Sequence, residues 1–171
     1  MSRLTGRELC LILDTSSLIA LGELGILEYL MRLKEMGVSI IIPKAVKEEL
    51  TPAHERIGDL GSTNALRLSL PHDYPEVLLR LGPGERDVIL AALSLRESGK
   101  YEVRVVIDDR RAQKICERLN IDFTGTAGLI VFMKAVGLIE REEAHSLLDS
   151  LLETSLFITE DIIEQAKEED C

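Results

Sequence analysis

The stretch LCLILDTSSLIAL, residues 9–21, decides the fold class of this chain. Its first five residues, 9–13, are all apolar, which is typical of a strand covered on both faces of a parallel sheet. Asp14 follows directly, and the three hydroxyl residues 15–17 supply side chains that commonly cap the start of a helix. The stretch therefore predicts a strand, a carboxylate at its end, and a helix through residues 18–21.

Apolar runs and helical segments continue to alternate along the rest of the chain. Further strands are predicted at 38–42, 103–107 and 123–124, and helical patterns separate and follow them. This alternation predicts an α/β fold with three layers, in which helices cover both faces of a small central parallel sheet of four to five strands. The predicted helices span 26–36 (ended by Gly37), 43–50, 85–98, 110–119, 126–136, 141–152 and 159–168.

The length of 171 residues fits a single domain, 1–171. Residues 1–137 are predicted to form the α/β core and residues 138–171 a set of C-terminal helices. The pattern weakens over 51–75, where Gly and Pro recur. One short helix and a strand at 66–70 are the interpretation of that segment.

Composition limits the class of function. The chain carries 20 Lys and Arg against 30 Asp and Glu, a net charge of −10, whereas proteins that bind nucleic acid through broad phosphate contact are usually basic. Any nucleic-acid role must therefore depend on a local basic patch or on bound metal. Three separated cysteines indicate neither a disulfide framework nor a zinc site. No signal peptide and no apolar run of about 18 residues is present, so a cytoplasmic protein without a membrane segment is expected.

Carboxylates recur where strands end and where helices begin or end. In parallel α/β sheets ligands bind outside the carboxyl ends of the strands, where strand order reverses. An Asp between a strand and a helix is also a common helix cap, and a lone Glu on a helix usually faces solvent. These two interpretations stay open for each of Asp14, Glu48, Glu49, Glu85, Asp87, Asp108 and Asp109.

If these groups converge, their mutual repulsion raises their pKa values unless a cation neutralises them. Oxygen ligands alone favour Mg²⁺ or Mn²⁺ over zinc. Such an ion can activate water toward a phosphodiester. The three histidines stand singly, and no serine lies in a nucleophile motif, so other hydrolytic chemistries fit less well. The basic residues placed for RNA contact, or alternatively for a solvated helix face, are Lys44, Arg110, Arg111 and Lys114.

Taken together, the segments resemble the PIN-domain family, small α/β nucleases that include the toxin ribonucleases of toxin–antitoxin pairs. The resemblance covers most of the chain in order and spacing, although each single motif is loose. The segments that carry it are LDTSSLIAL (13–21), PKAVKEEL (43–50), LGPGERDVILAALSL (81–95), VIDDRRAQKICERLNI (106–121), FTGTAGLIVFMKAVGLI (123–139) and LFITEDIIEQA (156–166).

The resemblance implies a catalytic, metal-binding set and an auxiliary set. One departure is Ile107, where toxin members commonly carry Ser or Thr two residues before the last Asp. The choices between Glu48 and Glu49, and between Glu85 and Asp87, stay open. The catalytic and metal set falls on Asp14, Glu49, Asp87 and Asp109, and the auxiliary set on Glu85, Asp108, Thr15 and Ser16.

The family also implies an activity and partners. It implies hydrolysis of single-stranded RNA with Mg²⁺ or Mn²⁺, a homodimer, and often an antitoxin protein that covers the site. The leading hypothesis is therefore a metal-dependent endoribonuclease. The alternative is a PIN-like metal- or RNA-binding module that cuts nothing, which the negative charge favours. A phosphotransfer receiver domain is a weaker rival, because no Lys ends a later strand.

Overall fold

The computed structural model describes residues 6–50 and 76–169. Within these ranges the chain forms four strands in one sheet, all parallel, in the order β2-β1-β3-β4. The strands are β1 Glu8–Leu13, β2 Ser39–Ile41, β3 Tyr101–Val106 and β4 Asp122–Thr124. Helices flank this sheet, so the predicted α/β class is confirmed.

Eight α-helices are described. The predicted helices recur close to their expected bounds, and two short 3-10 helices, Glu76–Arg80 and Leu151–Glu153, add to them. The α-helices are α1 Thr15–Glu23, α2 Glu28–Glu35, α3 Lys44–Glu49, α4 Pro83–Ser98, α5 Arg110–Arg118, α6 Thr126–Ala135, α7 Arg141–Ser150 and α8 Glu160–Glu169.

Strand β1 lies in the middle of the sheet and anchors the core. Residues 9–13 are all buried, which is the reason that this run is wholly apolar rather than alternating. Leu13 pairs with Val106 at the end of β3. The pairing continues one step further, because the Asp14 backbone N–H donates to the Val106 carbonyl at 3.2 Å. The chain directly after β1 and the chain directly after β3 therefore lie side by side.

Three local predictions can be compared with the structure. Residues 15–17 and Asp14 were both candidates for the cap of α1, and its N-cap is Asp14, whose carboxylate accepts from the Ser17 backbone N–H. Helix α2 begins at Glu28 rather than at residue 26, because Gly25 with φ 72° introduces a turn there. Gly37 ends that helix as predicted, with φ 96°. The strand predicted at 66–70 and the short helix near it lie outside the described residues.

The C-terminal helices pack onto the sheet layer through α6. Helices α7 and α8 contact α6 and each other. Their buried residues Ala144, Leu148 and Ile163 belong to the same hydrophobic cluster as β1. None of the helices in the described ranges has the length and the apolar character needed to cross a membrane.

Candidate metal centre

The candidate site lies at the carboxyl edge of the two central strands. The order β2-β1-β3-β4 means that the chain leaves β1 toward β2 on one side and toward β3 on the other. Such a reversal opens a crevice between the two central strands in parallel sheets. Asp14 follows β1, and Asp108 and Asp109 follow β3 after Ile107, so the strand-end carboxylates stand on this crevice.

Asp14 is the most deeply placed carboxylate. Only 4% of its surface is exposed. It accepts from the Ser17 N–H at 2.9 Å, and the Ser17 hydroxyl donates to its backbone carbonyl at 3.0 Å. Burial raises the pKa of Asp14 to about 7; the two hydrogen bonds from Ser17 lower it, and the Asp108 and Glu85 carboxylates raise it further. Asp14 is thus both a helix cap and a carboxylate whose charge is poorly solvated.

A cleft of about 320 Å³ opens above Asp14. Three separate elements contribute carboxylates to it: the end of β1, the end of α3 and the start of α4. One cation, from the first turn of α5, also lines it. The residues that line the cleft are Asp14, Thr15, Ser16, Glu49, Gly82, Glu85 and Arg111.

Glu49 is held in place by two donors from different elements. The Thr15 hydroxyl donates to its Oε2 at 2.5 Å, and the Gly84 backbone N–H donates to its Oε1 at 2.8 Å. A Cβ added at Gly84 would lie 2.5 Å from Oε2 and 2.8 Å from Oε1 of Glu49. Residue 84 must therefore be glycine for the carboxylate to approach the start of α4 this closely.

Glu85 is half-buried at the start of α4. Burial raises the pKa of Glu85 most, and the Asp109 and Glu49 carboxylates raise it further. A backbone hydrogen bond from Gly82 and the Arg111 guanidinium lower it. The acids of the cleft thus repel one another, and Arg111 only partly offsets the repulsion. Repelling carboxylates in a partly buried cleft are stabilised by a bound cation.

The pair after β3 is engaged by neighbouring helices. Asp108 accepts from the Thr126 N–H at 2.9 Å and from the Thr126 hydroxyl at 2.6 Å. Burial raises the pKa of Asp108, and both bonds from Thr126 lower it. Asp109 caps α5 by accepting from the Ala112 N–H at 3.0 Å. Asp109 is thus a helix cap, whereas Asp108 bonds a residue 18 positions away, and the charges of both act on acids of the cleft.

The predicted site residues divide into two groups. Asp14, Thr15, Ser16, Glu49, Glu85 and Arg111 line the cleft. Among the described residues Asp87, on the same helix as Glu85, does not line it, and Asp109 stands beside it. Asp108 and Arg110 line a second cavity. Lys114 is exposed on α5. Lys44 is exposed and pairs with Glu48 at 3.7 Å, and Glu48 does not line the cleft.

Three positioning residues were missed by sequence reasoning. They are Ser17, which holds Asp14, Gly84, which admits Glu49, and Thr126, which holds Asp108. The run of hydroxyl residues after Asp14 and the Gly-Pro-Gly turn were visible signals for the first two. No local signal links Thr126 to Asp108, because the two residues are 18 positions apart. Ile107, the departure from the toxin pattern, is fully buried, and the hydroxyl next to Asp108 comes instead from Thr126.

The donor chemistry of the cleft fits Mg²⁺ or Mn²⁺. All its acidic ligand groups are carboxylates, and Thr15 and Ser16 add hydroxyl oxygens. Within residues 6–50 and 76–169, no group of three or more His, Cys, Asp or Glu side chains is arranged to hold a metal ion. Mg²⁺ is commonly bound by one or two carboxylates while keeping much of its water shell, so a partial protein site of this kind fits it.

Comparison with known proteins agrees with this architecture. A family model described as PIN domain matches residues 10–170, which is nearly the whole chain. No curated protein and no solved structure matches the chain. The match begins in β1 and ends at the last residues of α8, so it includes every element that contributes to the cleft. The chain therefore belongs to the PIN-domain family.

Proposed function

We propose that this chain is a metal-dependent endoribonuclease that hydrolyses single-stranded RNA. PIN domains are typically nucleases, and the family generally uses divalent metals. The observation that carries the proposal is the cleft itself. Asp14, Glu49 and Glu85 come from three separate elements and line one small volume at the strand-order reversal. Carboxylates that served only as helix caps or on solvated helix faces would not need to lie together in one cleft.

One or two of these carboxylates would hold the ion together with its water shell, and Asp14 and Glu49 are positioned by different neighbours. Asp14 is fixed by Ser17 and by the β1–β3 pairing, whereas Glu49 is fixed by Thr15 and Gly84. When bound, Mg²⁺ or Mn²⁺ supplies positive charge that favours ionised water and stabilises charge developing on a phosphodiester. Asp109 stands near enough to Glu85 to raise its pKa and adds negative charge to the same volume.

Arg111 would attract the substrate's phosphate. It lines the cleft among the carboxylates, and no carboxylate in the described ranges forms an ion pair with it. Arg110 and Lys114 extend the positive charge along the exposed side of α5. A chain with a net charge of −10 needs such a local concentration of cations, because its overall field repels RNA.

The second candidate is a PIN-like module that binds metal or RNA without cutting. Two observations favour it: the net charge of −10, and the hydrogen bonds that already satisfy Glu49. Under either function a homodimer is proposed. Under the first function, an antitoxin protein that covers the cleft is proposed as a further partner.

The deciding experiment is cleavage of a short fluorescent single-stranded RNA in the presence of Mn²⁺, with EDTA as a control. Asp14→Asn keeps the shape of the side chain and removes its charge, so we expect it to abolish cleavage. Glu85→Gln and Asp87→Asn form a matched pair on one helix. Loss of activity in Glu85→Gln alone would assign the ligand to Glu85, and loss in Asp87→Asn alone would assign it to Asp87.

Binding of Mn²⁺, followed by titration calorimetry, separates the two candidate functions. A nuclease is expected to bind Mn²⁺, to cut RNA, and to lose both properties in the double variant Asp14→Asn, Asp109→Asn. Binding without cutting by the pure protein would support the non-cutting module. Undiminished affinity in the folded double variant would refute the assignment of the site.

A further inference from the structure

A second cavity of about 370 Å³ lies beside the carboxylate cleft. The two are separated by the first turn of α5, since Arg111 lines the cleft and its neighbour Arg110 lines the second cavity. Asp108 lines the second cavity and raises the pKa of Asp14 in the cleft. The two volumes are therefore neighbours at the carboxyl edge of the sheet, on either side of the first turn of α5.

The second cavity concentrates exposed aromatic surface. Phe123 of β4 and Phe157, which precedes α8, both line it, and they are two of the three Phe residues in the chain. Phe157 is 96% exposed, the most exposed of the large hydrophobic side chains described. A ring that is exposed to this extent offers a free face on which a nucleic-acid base can stack.

Two polar groups of the cavity, Arg110 and Gln113, suit a nucleotide, while the carboxylates Asp108 and Glu169 also line it. No carboxylate in the described ranges pairs with Arg110, so its guanidinium is available to a phosphate. Gln113 donates its amide N–H to the Ile107 carbonyl at 2.8 Å, which leaves its amide oxygen for a donor on a base. The volume falls in the range of small-ligand sites, about 300–1,000 Å³.

We propose that this cavity is a base-stacking subsite for single-stranded RNA, which holds an unpaired base next to the phosphate at the carboxylate cleft. The inference rests on the proposed function for its substrate class. An RNA strand that crosses the first turn of α5 passes Arg111 and then Arg110. One of its phosphates would lie in the carboxylate cleft and the neighbouring base in the second cavity. Stacking on Phe157 is independent of base identity, since every base has a π-face.

The absence of Trp from the chain makes a direct test possible. Phe157→Trp keeps an aromatic ring and introduces the chain's one Trp, which is excited selectively over its three Tyr. A 12-nucleotide uridine strand is titrated, in the presence of Mg²⁺, into the protein that carries Phe157→Trp together with Asp14→Asn. The Asp14→Asn substitution is included to keep the strand intact. We expect quenching by this strand and none by an abasic ribose-phosphate strand of equal length and charge. Met36→Trp, at another exposed hydrophobic position that lines neither cavity, is the control and is expected to stay unquenched.

Affinity supplies a second readout, by anisotropy of the same uridine strand carrying fluorescein. Phe157→Ala is expected to weaken binding at least about fivefold, and Phe157→Tyr to restore it to within about twofold, because stacking contributes about 1–3 kcal/mol per base. Equal binding of the uridine and abasic strands would overturn the subsite. A Trp emission that changes with protein concentration in the absence of RNA would also overturn the subsite, because a second copy of the chain would then cover the cavity.

The outcome is separable from that of the proposed function. Base-dependent quenching in a protein that cuts no RNA would support the subsite and refute the nuclease. Cleavage that is lost in Asp14→Asn but is unchanged in Phe157→Ala, with no base-dependent quenching, would support the nuclease and refute the subsite.

Discussion

The buried carboxylate of Asp14 should make the metal-free protein less stable as pH rises. Its folded-state pKa is about 7, against the ordinary value of 3.8 expected in the unfolded chain. A raised pKa means that the folded state binds the proton more tightly. The stabilising contribution is therefore fully present below about pH 4 and is lost as pH rises through 7.

The magnitude follows from the size of the shift. A change from 3.8 to about 7 is about 3 pKa units, and at about 1.4 kcal/mol per unit it corresponds to about 4 kcal/mol of unfolding free energy between pH 4 and pH 8. Asp14→Asn removes this dependence, because an amide is uncharged at every pH. The amide oxygen can still accept from the Ser17 N–H, so the cap of α1 is retained.

The assay is urea unfolding in EDTA at half-unit steps from pH 4 to pH 8, for the wild type and for Asp14→Asn. We expect the variant to gain about 4 kcal/mol relative to the wild type across this range. Asp122→Asn, at an exposed carboxylate that begins β4, is the matched control and should give a curve parallel to that of the wild type. Parallel curves for Asp14→Asn and the wild type would refute the argument that a desolvated charge lies at the centre of the cleft.

Three further predictions concern the surroundings of the cleft. Gly84→Ala should displace Glu49 and reduce Mn²⁺ affinity at least about tenfold in a calorimetric titration, while the unfolding free energy changes by no more than about 1 kcal/mol. Gly82→Ala is the control and should leave Mn²⁺ binding intact, because a Cβ added there meets nothing within 4 Å. Thr126→Val removes the hydroxyl that bonds Asp108 at 2.6 Å and should lower the unfolding free energy by about 1–3 kcal/mol at pH 7, measured by urea unfolding; an unchanged midpoint would contradict this role. RNA binding should depend only weakly on salt, with a slope of about −2 in a plot of log affinity against log salt, since about three basic side chains of α5 face the substrate; a slope several times steeper would require another basic surface.

Much of the fold was predictable because its signals are local. The run of five apolar residues at 9–13 indicates a buried strand, and Asp14 directly after it indicates where that strand ends. Gly37 indicates the end of a helix in the same way. These features depend on neighbours within a few positions of the chain, where periodicity and capping chemistry act. The bounds of the elements were less certain, as the start of α2 at Glu28 illustrates.

The site was predictable only as a set of acidic positions. Sequence reasoning placed Asp14 and Asp109 at strand ends, but it could not separate Glu85 from Asp87, since both lie in the first turns of one helix. The structure brings Glu85 to the cleft because of how α4 packs against the sheet and α3. The Gly-Pro-Gly turn was visible in the sequence, but the contact of Gly84 with Glu49 was not, because the two residues are 35 positions apart.

The amino-acid sequence by itself determined which segments form strands and helices and which of them end in carboxylates, because these properties follow from local hydrophobic pattern and capping. Only the tertiary structure decided that β1 pairs with β3, so that Asp14 stands beside the chain leading to Asp108. Burial by this packing raises the pKa of Asp14 to about 7, a property that no residue possesses in an extended chain. Long-range packing, rather than residue identity, turns a common helix cap into the centre of a candidate metal site.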